Sequence, residues 1–235
     1  MMNFFNLSNA TESQKENFYS QFDNIWQKKH FVKTINYKVN PNFDISIDYY
    51  HYTEQKTANF WRSIDCQQIT LFKNKKKIYL YKNYDGFIKF SLITTPQANL
   101  IFGTSDLSAY FLFDLNSEKG YEYLAKSVID GEGIPIDYWK IDEIVYNESN
   151  KLLFINGKDT MNCATTSIVN LSMLYQLPYP VYDIPTYVHQ QYNEYACTAI
   201  RWENNTTLQL EIGEENQLTT ALSISEIINH CDRYS

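Results

Sequence analysis

The chain predicts an α+β fold, a multi-stranded, twisted antiparallel sheet with helices at the N-terminus, near residues 117–129 and at the C-terminus. Three observations predict it. Apolar and polar residues alternate in short runs along most of the chain, the period of a half-buried strand. Turn residues separate those runs, as at Asn40-Pro41-Asn42, Asp85-Gly86 and Asn204-Asn205. Helical periods are few between the runs, which is the pattern of an α+β protein. A hydrophobic content of 44% over 235 residues suffices for a sizeable core. A single domain is expected, with 96–100 as the place where a subdivision would fall.

Residues 11–30 predict the first helix. Thr11 is placed to cap it, Gln14 completes a capping box, and Phe18, Phe22, Ile25 and Trp26 share one face. Strands are expected at 31–39 and 43–52, followed by a short helix at 54–62. In the second strand Phe43, Ile45, Ile47 and Tyr49 alternate with Asp44, Ser46 and Asp48. Runs at 68–72, 77–82 and 87–94 predict an antiparallel meander that turns at 73–76 and 84–86. Residues 100–116, LIFGTSDLSAYFLFDLN, form the most apolar stretch, with strands at 100–102 and 109–115. Tyr110, Leu112 and Asp114 would face one way, and Phe111, Phe113 and Leu115 the other. A strand apolar on both faces belongs in the middle of a sheet, covered on each side.

Residues 117–129 read as a helix capped by Ser117 and stopped by Gly131. An acidic loop at 130–143 then leads into a hairpin of strands at 141–146 and 152–156. Residues 161–176 fit strand or helix, and Ile168, Leu171, Leu174 and Tyr175 favour helix. Three prolines in LPYPVYDIP exclude a regular element there. Strands follow at 195–203 and 206–212. Ser223 and Glu226 form the capping box of a C-terminal helix over 223–233.

Charge divides the chain. Residues 1–100 hold 13 Lys and Arg against 8 Asp and Glu, whereas 101–235 hold 7 against 19. Such asymmetry points to a charged partner for at least one half. The alternative is an acidic surface that only keeps the protein dissolved. Arginine occurs only at positions 62, 201 and 233, beside abundant asparagine, lysine and tyrosine, a bias expected of an AT-rich bacterial or phage genome. Residues 1–14 lack the basic and apolar regions of a secretory signal, and no run approaches 18 apolar residues. Cys66, Cys163, Cys197 and Cys231 contain no CxxC pair and read as reduced thiols of a cytoplasmic protein. The cluster Lys73, Lys75, Lys76 and Lys77 reads as a solvated turn, so no direct nucleic-acid binding is expected.

Chemistry-bearing patterns are sparse. Cys163 followed by His189, with Asn193 or Asp232 to orient the imidazole, has the order of a cysteine hydrolase. Its flanks Asn162 and Ala164 match no nucleophile signature, so the hydrolase is an alternative and no catalytic residue is assigned. No histidine has a second ligand at metal spacing, and no phosphate-cradling loop is present, so neither metal nor cofactor is expected. The best candidate for partner binding is the acidic-aromatic segment 130–148. There Asp130, Glu132, Asp137, Asp142 and Glu143 would steer a basic partner, and Tyr138 and Trp139 would anchor it. The alternative for Trp139 is a core position at a strand start. A third reading is a structural or carbohydrate-binding module built on the tyrosine-rich surface.

The run IFGTSDLSAYFLFDL at 101–115 resembles a segment of SUKH-superfamily immunity proteins. In those proteins an apolar FG pair leads through a small-residue turn to a strand ending in aromatic-Asp. The resemblance implies an α+β protein that binds and neutralises a bacterial toxin, often a nuclease. Taken with the charge, it leads to the expectation of a non-enzymatic cytoplasmic immunity protein directed at a basic toxin.

Overall fold

A computed structural model describes residues 4–6, 20, 22–57, 60–83, 86–106, 109–125, 140–159, 161–177, 179–214 and 218–234. The strand period carries nearly the whole of it. The first sheet is β2 (Phe31–Lys38), β3 (Phe43–Thr57), β4 (Phe60–Lys73) and β5 (Lys76–Asn83), paired in chain order. The second is β6 (Lys89–Thr94), β7 (Asn99–Asp106), β8 (Ala109–Asp114) and β9 (Lys119–Ala125), with β1 (Phe4–Asn6) beside β9. The third is β10 (Lys140–Asn147), β11 (Leu152–Lys158), β12 (Ala164–Asn170) and β13 (Val181–Asp183), closed by β17 (Asp232–Tyr234). The fourth is β14 (Cys197–Glu203), β15 (Thr207–Ile212) and β16 (Leu218–Ser223). Helices α1 (Ile184–Tyr192) and α2 (Ile224–His230) flank it.

Every strand pairing among the described residues is antiparallel, and the tight turns explain several of them. Asn74-Lys75 and Asn204-Asn205 both adopt left-handed φ angles, 49° and 67° in one and 49° and 56° in the other. Two successive left-handed residues make the hairpin turn whose twist matches the strands it joins.

The four sheets stack in chain order, and three clusters of buried side chains fill the gaps. Between the first and second sheets lie Ile45, Ile47, Ile69 and Leu71 against Phe111, Phe113 and Leu115. Between the second and third lie Leu100, Phe102, Tyr110 and Leu112 against Leu153, Ile155, Val169 and Val181. The last gap holds Leu152, Phe154 and Ile168 against Ala199, Leu208 and Leu210, with Ile227 of α2. Strand β8 is third of five in its sheet and is covered on both faces, with the facing expected from its alternation. Its Tyr110 ring stacks on Tyr123 and Tyr179, at 4.4 and 5.6 Å between centroids, and its hydroxyl accepts the Tyr179 amide at 2.8 Å.

This is a mostly β protein with two short α-helices among the described residues, so the α+β class with flanking helices is not the observed fold. The predicted helix at 117–129 is strand β9 over its described part, because Tyr121-Glu122-Tyr123-Leu124 also alternates and pairs with β8. Ser117 does not cap a helix; its hydroxyl donates to Asp114 at 2.7 Å inside the β8–β9 turn, where Glu118 takes a positive φ of 56°. Residues 54–62 lie in the long β3–β4 hairpin apart from 58–59, which fall outside the described residues. Residues 164–170 form a strand, as suits β-branched Thr165, Thr166, Ile168 and Val169. The turn at 84–86 does not close a hairpin, since β5 and β6 belong to different sheets. The prolines at 178–185 do not exclude regular structure: Pro185 sits in the first turn of α1, where no amide is needed, and Asp183 caps that helix.

Residues 11–19 and 21 of the predicted N-terminal helix lie outside the described residues, and residues 22–27 form turns and a bend, not a helix. The described part ends in a 3-10 turn at Lys28–His30, and Ile25 packs with Ile64 and Cys66 on the outer face of the first sheet. At the C-terminus the capping box of Ser223 and Glu226 is formed, and α2 stops at His230, after which the chain turns back into a strand.

Candidate functional site

Strands β3 and β4 are 15 and 14 residues long, whereas none of β6–β9 exceeds 8. The first sheet therefore outruns its neighbour, and side chains that would otherwise enter the core line a groove of about 690 Å³. Register decides which residues meet there. Ile35, Ile47, Ile69 and Tyr81 form one cross-strand row, and Ile47, Ile69 and Tyr81 belong to the core. Two residues further along lies the row Lys33, Tyr49, Gln67 and Asn83, and beyond it the pair His51 and Asp65. Phe87, Ile88, Lys89 and Phe90 form part of the opposite wall.

The groove is aromatic, with polar groups set between the rings. Tyr37 meets Phe90 edge-on at 5.4 Å, and Tyr49 lies 5.9 Å from Phe87. The Lys33 ammonium stands 4.9 Å over the Tyr49 ring, a cation–π contact. Burial, followed by the charge of the neighbouring Tyr37 hydroxyl and its hydrogen bond, holds the Tyr49 hydroxyl above the usual tyrosine range. Asp65 bonds the His51 imidazole at 2.8 Å, and Thr53 and Ser63 reach the other ring nitrogen at 3.3 Å.

Gln67 is 1% exposed and only half satisfied, the latter a state it shares with Asn147 on β10, but Gln67 alone of the two lines the groove. Its Oε1 accepts the Ile88 amide at 2.6 Å, which fixes the orientation of the side-chain amide. Its Nε2 then carries two hydrogens and has no acceptor among the described residues. Buried amide hydrogens are nearly always bonded, and an unmet one costs about 1–3 kcal/mol.

The surroundings of Cys163 disfavour a nucleophilic thiolate. Cys163 precedes strand β12, not a helix, and its amide donates to Asp159 at 2.9 Å. Burial and the carboxylates of Asp159 and Glu214 hold its thiol above the ordinary value, opposite to what an attacking thiolate needs. His189, on α1, is stacked on Tyr195 at 3.9 Å, and Asn193 is the left-handed C-cap of that helix. The Cys197 thiol, enclosed in the core, is pushed up to about 12. No group of three or more His, Cys, Asp or Glu able to hold a metal occurs among the described residues.

Of the partner-binding residues expected from the sequence, Asp130, Glu132, Asp137, Tyr138 and Trp139 lie outside the described residues. Asp142 and Glu143 are exposed on β10, where a register shift between Ile141 and Glu143 marks a bulge. Glu143 is tied to the interior, accepting from Asn156 at 3.1 Å. Ile141, their neighbour, lines the aromatic groove. Sequence reasoning passed over the groove itself, whose residues lie up to about a hundred positions apart and meet only through register. One signal was present: the inward series of β3 changes from Phe43, Ile45 and Ile47 to Tyr49 and His51, as happens where a strand leaves the core. No described helix is long and apolar enough to cross a membrane. Comparison with protein-family models, curated proteins and solved structures finds no match to this chain.

Proposed function

We propose that this is a non-enzymatic binding protein whose working surface is the aromatic groove beyond the core of the first two sheets. The observation that carries the reading is the buried, half-satisfied amide of Gln67 on a groove of ligand-site size. Other buried donors are also unmet, Asn147 Nδ2 and Trp202 Nε1 among them, but Gln67 is the one that lines the groove. A fragment screen by two-dimensional NMR tests the proposal. Shifts should cluster at Val32, Lys33, Tyr49, the Gln67 side-chain amide and Phe87–Phe90. Hits that scatter, or that gather on another face, would contradict it.

A second reading is an immunity-type role in which residues 101–235 receive a basic protein toxin. The excess of 19 acidic over 7 basic residues supports it. The resemblance at 101–115 lends it less, because the described part of that stretch forms β7 and β8, largely enclosed between two sheets, and the α+β fold it implies is not observed. Such a complex would associate quickly at low ionic strength and lose that rate as salt rises.

A further inference from the structure

We propose that the groove binds an acidic saccharide, a pyranose chain carrying uronate groups; this rests on the binding reading above and names its ligand. Three properties of the site select that chemistry. The rings of Tyr37, Tyr49, Phe87 and Phe90 offer apolar faces, which the C–H face of a pyranose covers. The buried Gln67 amide needs an oxygen acceptor, and sugar hydroxyls and ring oxygens provide several. Lys33 and Lys89 face the groove against one carboxylate, Asp65, which is already engaged by His51, so the unspent charge is positive and favours an anion.

Gln67 Nε2 is shielded from bulk water. A ligand oxygen reaches it when a rim side chain swings aside, and Lys33 and Phe87 are both exposed enough to do so. Lys33 leaves the Tyr49 ring in that movement and meets the uronate, while a sugar face replaces it on the ring. Asp65 remains placed to accept from a sugar hydroxyl.

Calorimetric titration of the full chain tests this with three probes: a galacturonic acid tetramer, a hyaluronan tetrasaccharide and neutral cellotetraose. At least one uronate probe should bind about ten-fold or more tighter than cellotetraose. Lys33→Gln should weaken it several-fold, Tyr49→Ala about ten-fold, and Gln67→Glu should abolish it. Gln67→Glu retains the acceptor for the Ile88 amide but removes the donor and repels the uronate. Lys33 lies on the exposed rim, so Lys33→Gln reports on binding even if Gln67→Glu lowers the melting temperature. Cellotetraose binding as tightly as the uronates overturns the acidic assignment. No binding by any probe at about 10 mM overturns the saccharide proposal. If fragments still gather in the groove, the failure is one of ligand class alone; if they do not, both readings fall.

Discussion

Asn156 and Gln67 are both buried side-chain amides, 6% and 1% exposed, yet the protein completes them differently. Asn156 lies between the third and fourth sheets. Its Nδ2 donates to Ala199 at 2.7 Å and to Glu143 at 3.1 Å, while its Oδ1 accepts from Thr166 at 2.7 Å and Ala199 at 3.0 Å. All four of its hydrogen-bonding positions are filled, across a bulge in β14 between Ala199 and Arg201. Gln67 lies at the open end of the first two sheets, and its side chain makes one bond among the described residues. Burial disfavours any amide left unbonded, so a fully met one reads as architecture. A half-met amide beside a groove reads as a group awaiting a ligand. The two amides thus differ in how they are completed, Asn156 by a closed polar network and Gln67 by one bond beside an open groove.

The comparison is most easily broken through stability. Asn156→Leu should cost about 3 kcal/mol in urea unfolding, because the Ala199 carbonyl and Glu143 lose their Asn156 donor and the Ala199 amide keeps only Thr166. Gln67→Leu should cost about 1 kcal/mol, since it gives up the Ile88 bond but also removes an unmet donor. Equal losses would end the distinction. The closed end of the first two sheets can be probed at Gly120, where an added Cβ would lie 2.1 Å from the Tyr79 ring. That ring is fixed by its hydroxyl, which donates to Glu122 at 2.8 Å. Gly120→Ala should therefore cost about 2 kcal/mol by overpacking, without altering binding at the far end.

Asp114 is a third buried polar group, completed in the manner of Asn156. It accepts from Asn116 at 2.9 Å, Ser117 at 2.7 Å and Tyr175 at 3.1 Å. Burial alone would raise its carboxyl, but these donors outweigh burial and hold it below the usual carboxylate range. A depressed folded value means that the ionised group stabilises the fold above its unfolded pKa. That contribution is lost as pH falls through the folded pKa. Asp114→Asn should cost about 1 kcal/mol near neutral pH, and the gap from the parent should close on acidification. A gap independent of pH would assign the effect to packing. The smallest change is expected at Cys163→Ala, less than about 0.5 kcal/mol and with ligand binding unaltered. Loss of function there would restore the hydrolase.

What could be read from the sequence was local. Strand β8 announced itself because its residues are apolar on both faces, and the Asn-rich hairpin turns and the Ser223–Glu226 capping box are contained within four residues each. Helix and strand were confused where both periods fit, as at Tyr121-Glu122-Tyr123-Leu124, and there pairing with β8 decided. The groove was not legible, since Lys33, Tyr49, Gln67 and Asn83 become a row only when four strands align. The charge pattern drew the expected site to the acids around Trp139 instead, and of these Glu143 also holds an interior amide.

The most direct test is a crystal structure of the protein with its tightest groove ligand. The account predicts a ligand oxygen within about 3.2 Å of Gln67 Nε2, with Gln67 Oε1 still accepting the Ile88 amide and every bond of Asn156 unchanged. A ligand seated elsewhere, or a Gln67 amide met only by water or by another protein group, would contradict it.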